Sequence, residues 1–139
     1  MNSFESSLNQ YILHDSIITD VVVNVDAITF VFEKGVFTLN QNDFSSRKTD
    51  ACNMTLYIEN FDCDCLYQNL EIKTVDNGVA IDTKFDDFLK TIKKEGLKIY
   101  LDYYSFFAKS VLLIGTSEDF EFEITVTDIK KIVFSFLKP

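Results

Sequence analysis

A chain of 139 residues with 47% hydrophobic residues and a single proline is long enough to bury one core, and its composition excludes a disordered protein. It carries 13 basic and 22 acidic residues, and the net charge of −9 repels a phosphate backbone, which argues against nucleic-acid binding. We therefore expect one globular domain spanning residues 1–139, without internal repeats or linkers.

The first predicted elements are a short helix and a hairpin. The apolar residues of SFESSLNQYIL, at 3–13, recur at helical spacing. In ITFVFE, at 28–33, large apolar residues occupy alternate positions, which predicts a strand. Its inward-facing residues are Ile28, Phe30 and Phe32. Lys34–Gly35 then predicts a short turn, so that this strand would form a hairpin with VFTLN at 36–40.

Two further strands and a second hairpin follow. NMTLYIE at 53–59 alternates, with Met54, Leu56 and Ile58 facing inward. LYQNLEIKTV at 66–75 predicts a strand that leads through Asp76–Asn77–Gly78 into VAID. Because asparagine and glycine tolerate positive φ, this turn sequence is a strong hairpin signal.

The segment DTKFDDFLKTIKKEG at 82–96 predicts the one amphipathic helix. Its apolar residues Phe85, Phe88, Leu89 and Ile92 form a stripe at positions i, i+3, i+4 and i+7. Asp82 or Thr83 is expected to cap the first amides. Acidic residues near the start and lysines near the end suit the helix dipole.

Four more strands are predicted at LKIYLDYY, SVLLIG, FEFEITVT and KKIVFSFL, of which the second is apolar on both faces. The total is about eight strands. We therefore expect an α+β fold that is mainly β, with an antiparallel sheet of about eight strands, curved or barrel-like, packed on one amphipathic helix.

The chain's only histidine lies in His14-Asp15-Ser16, three residues that also form hydrolase triads. If this stretch enters a strand, adjacent side chains point to opposite faces, so His14 and Asp15 would diverge. We expect no triad here, and expect Asp15 or Ser16 to bond nearby backbone amides. The four glycines are isolated, so no phosphate-binding loop is predicted.

No metal or cofactor site is predicted. Cys63 and Cys65 would share one side of a strand, but Cys52 and one distant histidine complete a zinc site poorly. Glu121 and Glu123 share a strand face without apolar neighbours that would raise a pKa, so they are not expected to act as an acid/base pair. We expect a protein that is not an enzyme.

The location of the protein is predicted from what its beginning lacks. MNSFESSLNQ has neither the basic nor the apolar region of a secretory signal, and no apolar run in the chain is long enough to cross a membrane. A cytoplasmic protein with reduced thiols is therefore expected.

Outward tyrosines beside acids are typical of protein-binding surfaces. On LKIYLDYY, alternation predicts that Leu97, Ile99, Leu101 and Tyr103 face inward. The candidate partner-binding residues are Tyr57, Glu59, Tyr100, Asp102, Tyr104, Glu121 and Glu123. The alternative is that these tyrosines stack across strands and stabilise the sheet.

The stretch LHDSIITDVVVNVDAITFVFEKGVF, within residues 13–40, resembles small bacterial immunity proteins of toxin–immunity systems. The resemblance implies a non-catalytic inhibitor that binds a cognate toxin, here a basic toxin domain, and it assigns no binding residues. An alternative is a small-ligand-binding or enzymatic curved-sheet domain with an aromatic cavity. Its lining would be Phe30, Phe32, Phe120, Phe122 and Phe134. A third hypothesis is an oligomeric structural protein.

Overall fold

The computed structural model describes residues 11–39 and 46–137, which form thirteen strands, one 3₁₀ helix and one α-helix. The strands are β1 Tyr11–Ile12, β2 Ile17–Ile18, β3 Asp20–Val23, β4 Ala27–Phe32, β5 Phe37–Leu39, β6 Ser46–Lys48, β7 Cys52–Ile58, β8 Leu70–Asp76, β9 Val79–Asp82, β10 Leu97–Ser105, β11 Ser110–Thr116, β12 Glu121–Val126 and β13 Ile129–Phe136. The 3₁₀ helix is Cys63–Gln68, and α1 is Phe85–Glu95. No helix in these ranges is long and apolar enough to span a bilayer.

The strands form three open antiparallel sheets rather than the single predicted one. Their orders are β2-β10-β11-β12-β8-β9, β13-β7-β4-β3 and β1-β5-β6. The mainly β, antiparallel character expected from the alternation is confirmed. The expected single sheet is not observed, because the chain passes repeatedly from one sheet to another, and twice it does so across a corner of only one or two residues.

The first corner is Thr19, which separates β2 in the six-stranded sheet from β3 in the four-stranded sheet. The second is Thr127–Asp128, between β12 and β13, where Asp128 has a φ of 57°. Inward residues of both sheets and of α1 consequently belong to one buried cluster. Alternation in β4 and β7 holds as predicted, and their inward residues, Ile28, Phe30, Phe32, Met54, Leu56 and Ile58, are all buried.

The predicted helix is confirmed as α1, and its stripe faces the core. Phe88 and Ile92 are buried, and the Phe88 ring meets Phe122 of β12 edge-on at 5.1 Å between centroids. The predicted caps are wrong, since Lys84 occupies the N-cap without a side-chain hydrogen bond. Thr83 instead donates to the Ile81 carbonyl and hydrogen-bonds Thr74.

The predicted hairpin at Lys34–Gly35 is wrong, although the chain does turn there. Both edges of β4 are already occupied, by β3 and β7, so β5 has no free edge to join and pairs with β1 and β6 instead. The Asn77–Gly78 hairpin, in contrast, is confirmed, with β8 and β9 in register.

Two predictions at strand beginnings also need correction. The strand predicted from residue 66 begins at Leu70, because the carboxylate of Asp62 accepts the amide of Asp64 at 3.0 Å and starts the 3₁₀ helix. Cys63 and Cys65 therefore do not lie on a strand. Most of the predicted N-terminal helix falls outside the described residues, and Tyr11 and Ile12, at its end, form β1.

Candidate functional site

The candidate site is the outer face of the six-stranded sheet, and a bulge in β10 determines which residues lie on it. Ile99 pairs with Gly115 and Leu101 with Ile114, so Tyr100 is an extra residue without a partner on β11. One extra residue shifts every following side chain to the other face. The prediction that Leu101 and Tyr103 face inward is therefore wrong.

Directly opposed residues of an antiparallel pair share a face, and this rule assigns the sides of β10. Asp102 lies opposite Leu113 and Tyr104 opposite Val111, and both β11 residues are fully buried. Asp102 and Tyr104 thus lie on the inner face and are half-buried, so the prediction that they point outward is wrong. Tyr100, by contrast, remains on the outer side.

The outer residues of β10 and β11 form an exposed apolar surface, which we name the β10–β11 face. Leu101 is 43% and Tyr103 60% exposed. They lie directly opposite Ile114 and Leu112, which are half-buried. Isolated exposed apolar side chains are common on protein surfaces, but two exposed apolar residues directly opposite two half-buried ones on one sheet face are typical of an interaction site.

The turn after β10 also carries exposed apolar side chains. Phe107 is 97% exposed, and its ring meets that of Phe106 edge-on with centroids 5.9 Å apart. The serine hydroxyl of Ser105 accepts the amide of Ala108 at 3.1 Å, which supports the backbone of the turn. A nearly fully exposed phenylalanine is unfavourably hydrated, so contact with another apolar surface would stabilise it.

Beside the apolar residues, the same face becomes acidic. The row of directly opposed residues that contains Leu101 and Ile114 continues across the sheet into charged residues. The neighbouring row, which contains Tyr103 and Leu112, also ends in a charged residue. The charged residues of these two rows are Glu123, Lys73, Asp82 and Glu71. With Glu121 next along β12, this half carries four carboxylates and one ammonium group, which contacts Glu71 at 3.1 Å. The outer face is therefore apolar on one side and negative on the other.

Tyr100 joins the two halves. Its hydroxyl donates to the carboxylate of Glu121, across β11. This hydrogen bond, with burial and the charges of Glu121 and Glu123, raises the pKa of Tyr100 to about 12. Of the seven predicted partner-binding residues, Tyr100, Glu121 and Glu123 are brought together here.

The other four predicted residues lie elsewhere. Tyr57 is on the outer side of the four-stranded sheet, with the Lys131 ammonium 5.6 Å from its ring centroid. Glu59 follows β7 and lies 4.0 Å from Lys109. Together with the inward positions of Asp102 and Tyr104, this means that the predicted set does not form one surface.

Asp102 and Tyr104 form a half-buried polar pair on the inner face. Burial raises the pKa of the Asp102 carboxyl, while a hydrogen bond from Tyr104 and the charge of His14 oppose the rise. The pKa of Tyr104 is raised well above its usual value, first by burial and second by the charge of Asp102. The pair therefore favours its protonated forms.

The His14-Asp15-Ser16 stretch is a turn, not a strand. Asp15 has a φ of 68°, which brings its carboxylate to 3.2 Å from Nδ1 of His14, and Lys98 lies 3.8 Å away on the other side. The prediction that His14 and Asp15 diverge is therefore wrong. Ser16 is buried, and its hydroxyl donates to the Ile12 carbonyl at 3.5 Å rather than bonding an amide.

The remaining chemical candidates are dispersed. Cys52 is buried in β7, where burial raises the pKa of its thiol to about 11, whereas Cys63 and Cys65 lie in the 3₁₀ helix. Within the described ranges, no three His, Cys, Asp or Glu side chains cluster in a way that would hold a metal ion.

The phenylalanines proposed to line a cavity do not share one. Phe30, Phe32 and Phe122 are buried in the core, whereas Phe120 is 46% exposed. Phe134 packs on Tyr11, with 4.4 Å between the ring centroids.

Comparison of the chain with protein-family models, with curated proteins and with solved structures finds no match.

The β10–β11 face was not predicted from the sequence, because strict alternation was assumed along β10 and nothing in LKIYLDYY marks the bulge. One signal was available: SVLLIG is apolar on both sides, so each of its faces needs apolar cross-strand neighbours. Leu112 and Ile114 find that neighbour only if Leu101 and Tyr103 face outward.

Proposed function

We propose that this chain is a non-catalytic protein-binding module whose partner docks on the β10–β11 face. The observation that carries the proposal is the exposed row of Leu101 and Tyr103 against Leu112 and Ile114, bordered by carboxylates. Burial of aromatic and aliphatic side chains at the centre of an interface supplies most of its binding energy, and a polar rim gives it specificity.

The partner we infer is a protein with an apolar patch next to lysine or arginine side chains. Glu121 and Glu123 lie beside the apolar residues, so a basic flank on the partner would meet them when the apolar patches are in contact. The net charge of −9 would attract the same partner over a longer distance.

A cognate bacterial toxin domain with a basic surface fits this description, and an immunity protein would inhibit it by binding. The resemblance of residues 13–40 to immunity proteins supports this assignment.

Adjacent residues on β10 provide the sharpest test. We expect Tyr103→Ala to weaken binding to the product of a neighbouring toxin gene by about 2 kcal/mol, roughly thirtyfold, because Tyr103 lies in the proposed interface. Tyr104→Ala should instead lower the free energy of unfolding, because Tyr104 faces inward. Calorimetric titration and urea unfolding of both variants separate the two effects.

Matched acidic variants test the polar side. Glu121→Gln should weaken the complex, whereas Glu59→Gln, on the other sheet, should leave its affinity unchanged. The proposal would be overturned if the toxin domain did not bind, or if Glu59→Gln and Tyr57→Ala weakened the complex while Tyr103→Ala did not.

A further inference from the structure

The strand β10 has an open edge on the side away from β11. β2 pairs with only its first two residues, and the loop before β2 then bonds both the amide and the carbonyl of Ile99. Among residues 11–39 and 46–137, no strand pairs with this edge beyond the bulge, along residues 101–105. This part of β10 therefore has a strand on one side only.

Two residues direct their backbone hydrogen-bonding groups out of the open edge. Because Ile99 bonds the loop before β2, its opposite residue Gly115 directs its own backbone groups toward β12. Alternate residues of β11 share this direction, and the residues opposite Asp102 and Tyr104 are among them. The amides and carbonyls of Asp102 and Tyr104 thus point away from β11, where an added strand can pair with them.

The other outer edges of the described sheets are short or basic, as the edges of soluble proteins usually are. β1, β2, β3 and β9 have two to four residues each. β6 contains Arg47 and Lys48, and β13 contains Lys130 and Lys131. The sequence LDYYS at 101–105 has no lysine, arginine or proline. An edge without these features is a template for pairing with another strand.

The side chains along this edge are complementary to those of a second copy. When two β10 strands run antiparallel with Tyr103 opposite its equivalent, Asp102 lies opposite Tyr104. Tyr104 donates a hydrogen bond to Asp102 within one chain, so the same groups suit each other across the two-fold axis. Leu101 lies opposite Ser105, and no like charges are opposed.

Other registers that keep the inner and outer faces aligned fit less well. Centring the pair on Asp102 would place two carboxylates directly opposite each other, which is unfavourable. Centring it on Tyr104 would leave Leu101 outside the paired residues 101–105. The register centred on Tyr103 is the one that uses the whole open edge.

We propose that this protein forms a two-fold dimer in which the β10 strands of two copies pair antiparallel, centred on Tyr103. The two six-stranded sheets then form one continuous sheet, joined by main-chain hydrogen bonds of Asp102 and Tyr104 from each copy. The side chains of Leu101 and Tyr103 stay on the outer face, so the β10–β11 faces of the two copies adjoin. This proposal does not depend on the protein-binding function.

The charge of the chain opposes this dimer and gives it a distinctive dependence on salt. Two copies that each carry a net charge of −9 repel one another, and salt screens the repulsion. Sedimentation of the isolated chain between about 1 μM and about 1 mM should show a dimer fraction that rises with protein concentration and with salt. Salt should weaken the complex with a basic toxin domain instead, so the two proposals fail in distinguishable ways.

Adjacent backbone amides of β10 provide a matched comparison. The Tyr104 amide points to the open edge, whereas the Tyr103 amide points to β11 in the monomer and in the dimer. Because only the dimer protects it, the Tyr104 amide should exchange with deuterium about tenfold more slowly when about 90% of the chains are dimeric. The exchange of the Tyr103 amide should not depend on protein concentration.

A cysteine on the two-fold axis tests the register. Residues opposed without a mutual hydrogen bond have Cα atoms about 4.5 Å apart, which a disulfide spans. In a Cys63→Ser and Cys65→Ser background, oxidation should cross-link Tyr103→Cys into dimers. Leu101→Cys, whose equivalent is not directly opposite it, should not cross-link.

Three results would each overturn the proposal. The first is a chain that sediments as a monomer at about 1 mM in high salt. The second is exchange of the Tyr104 amide that is independent of concentration. The third is cross-linking of Leu101→Cys as readily as of Tyr103→Cys.

Discussion

Phe88 is the side chain on which the packing of α1 depends most. It is 1% exposed and its ring meets Phe122 edge-on, so it connects the helix to the six-stranded sheet. We expect Phe88→Ala to lower the free energy of unfolding by about 3–5 kcal/mol, the usual cost of removing a buried aromatic ring. Urea denaturation measures this change.

Phe107→Ala is the control for that substitution. It deletes the same group where the side chain is 97% exposed, so the change should stay within about 0.5 kcal/mol. Equal losses in the two variants would mean that α1 does not cover the core.

Asp102 should make stability depend on pH. Burial raises the pKa of its carboxyl in the folded state, so the unfolded chain loses this proton first as pH rises. The folded state is therefore destabilised as pH increases from the ordinary aspartate pKa through the raised one. Asp102→Asn, which keeps an acceptor for Tyr104, should be more stable than the wild type at pH 7 and lose this advantage near pH 3.

Urea unfolding between pH 3 and pH 8 measures the difference between the two proteins. Glu118→Gln, at an exposed position, serves as the control and should show a smaller pH-dependent difference. A stability difference for Asp102→Asn that is the same at every pH would contradict the inward placement of Asp102.

At the scale of elements, the order of strands depends on which edges are free. The turn at Gly35 looks like a hairpin turn in the sequence, yet β4 pairs with β3 and β7 and cannot accept β5. Gly35 instead packs against the segment before β7. A Cβ atom there would lie 2.2 Å from the carbonyl oxygen of Thr49, and φ is 79°.

The two turn glycines should therefore differ in their response to alanine. Gly78→Ala introduces a side chain at a φ of 78° into open space, and should cost about 1–2 kcal/mol. Gly35→Ala adds the clash with Thr49 to the same backbone strain and should cost at least about 2 kcal/mol more. Thermal unfolding of both variants compares them, and equal losses would exclude the tight packing of Gly35.

For the whole molecule, the distribution of charge and apolar surface predicts how a partner would associate. If the proposed basic toxin domain binds the outer sheet face, the attraction between net charges accelerates the encounter, whereas apolar contacts hold the complex together. The association rate should fall steeply between low and physiological salt, and the dissociation rate should change less.

Stopped-flow or surface-plasmon measurements at several salt concentrations check this prediction. A dissociation rate that rises with salt while the association rate stays constant would mean that charge pairs, and not apolar contacts, maintain the complex.

Local sequence patterns by themselves determined the longer elements of this protein. Helical periodicity predicted α1, and Asn77–Gly78 predicted the second hairpin. Period-two alternation predicted β4, β7, β10, β12 and β13, and a short apolar run predicted β11. These patterns predict the elements correctly because they depend only on residues close together in the sequence. Each concerns only the spacing of apolar side chains or the φ that a turn requires.

Only the tertiary structure decided which strands pair and which faces are exposed. The corners at Thr19 and Thr127–Asp128 divide the strands between sheets, and their effect depends on residues far away in sequence. The single extra residue at Tyr100 turned Tyr103 outward and Asp102 inward. A bulge is specified by the partner strand rather than by its own sequence, and because side chains alternate with a period of two, it exchanges the buried and exposed sides of the strand after it.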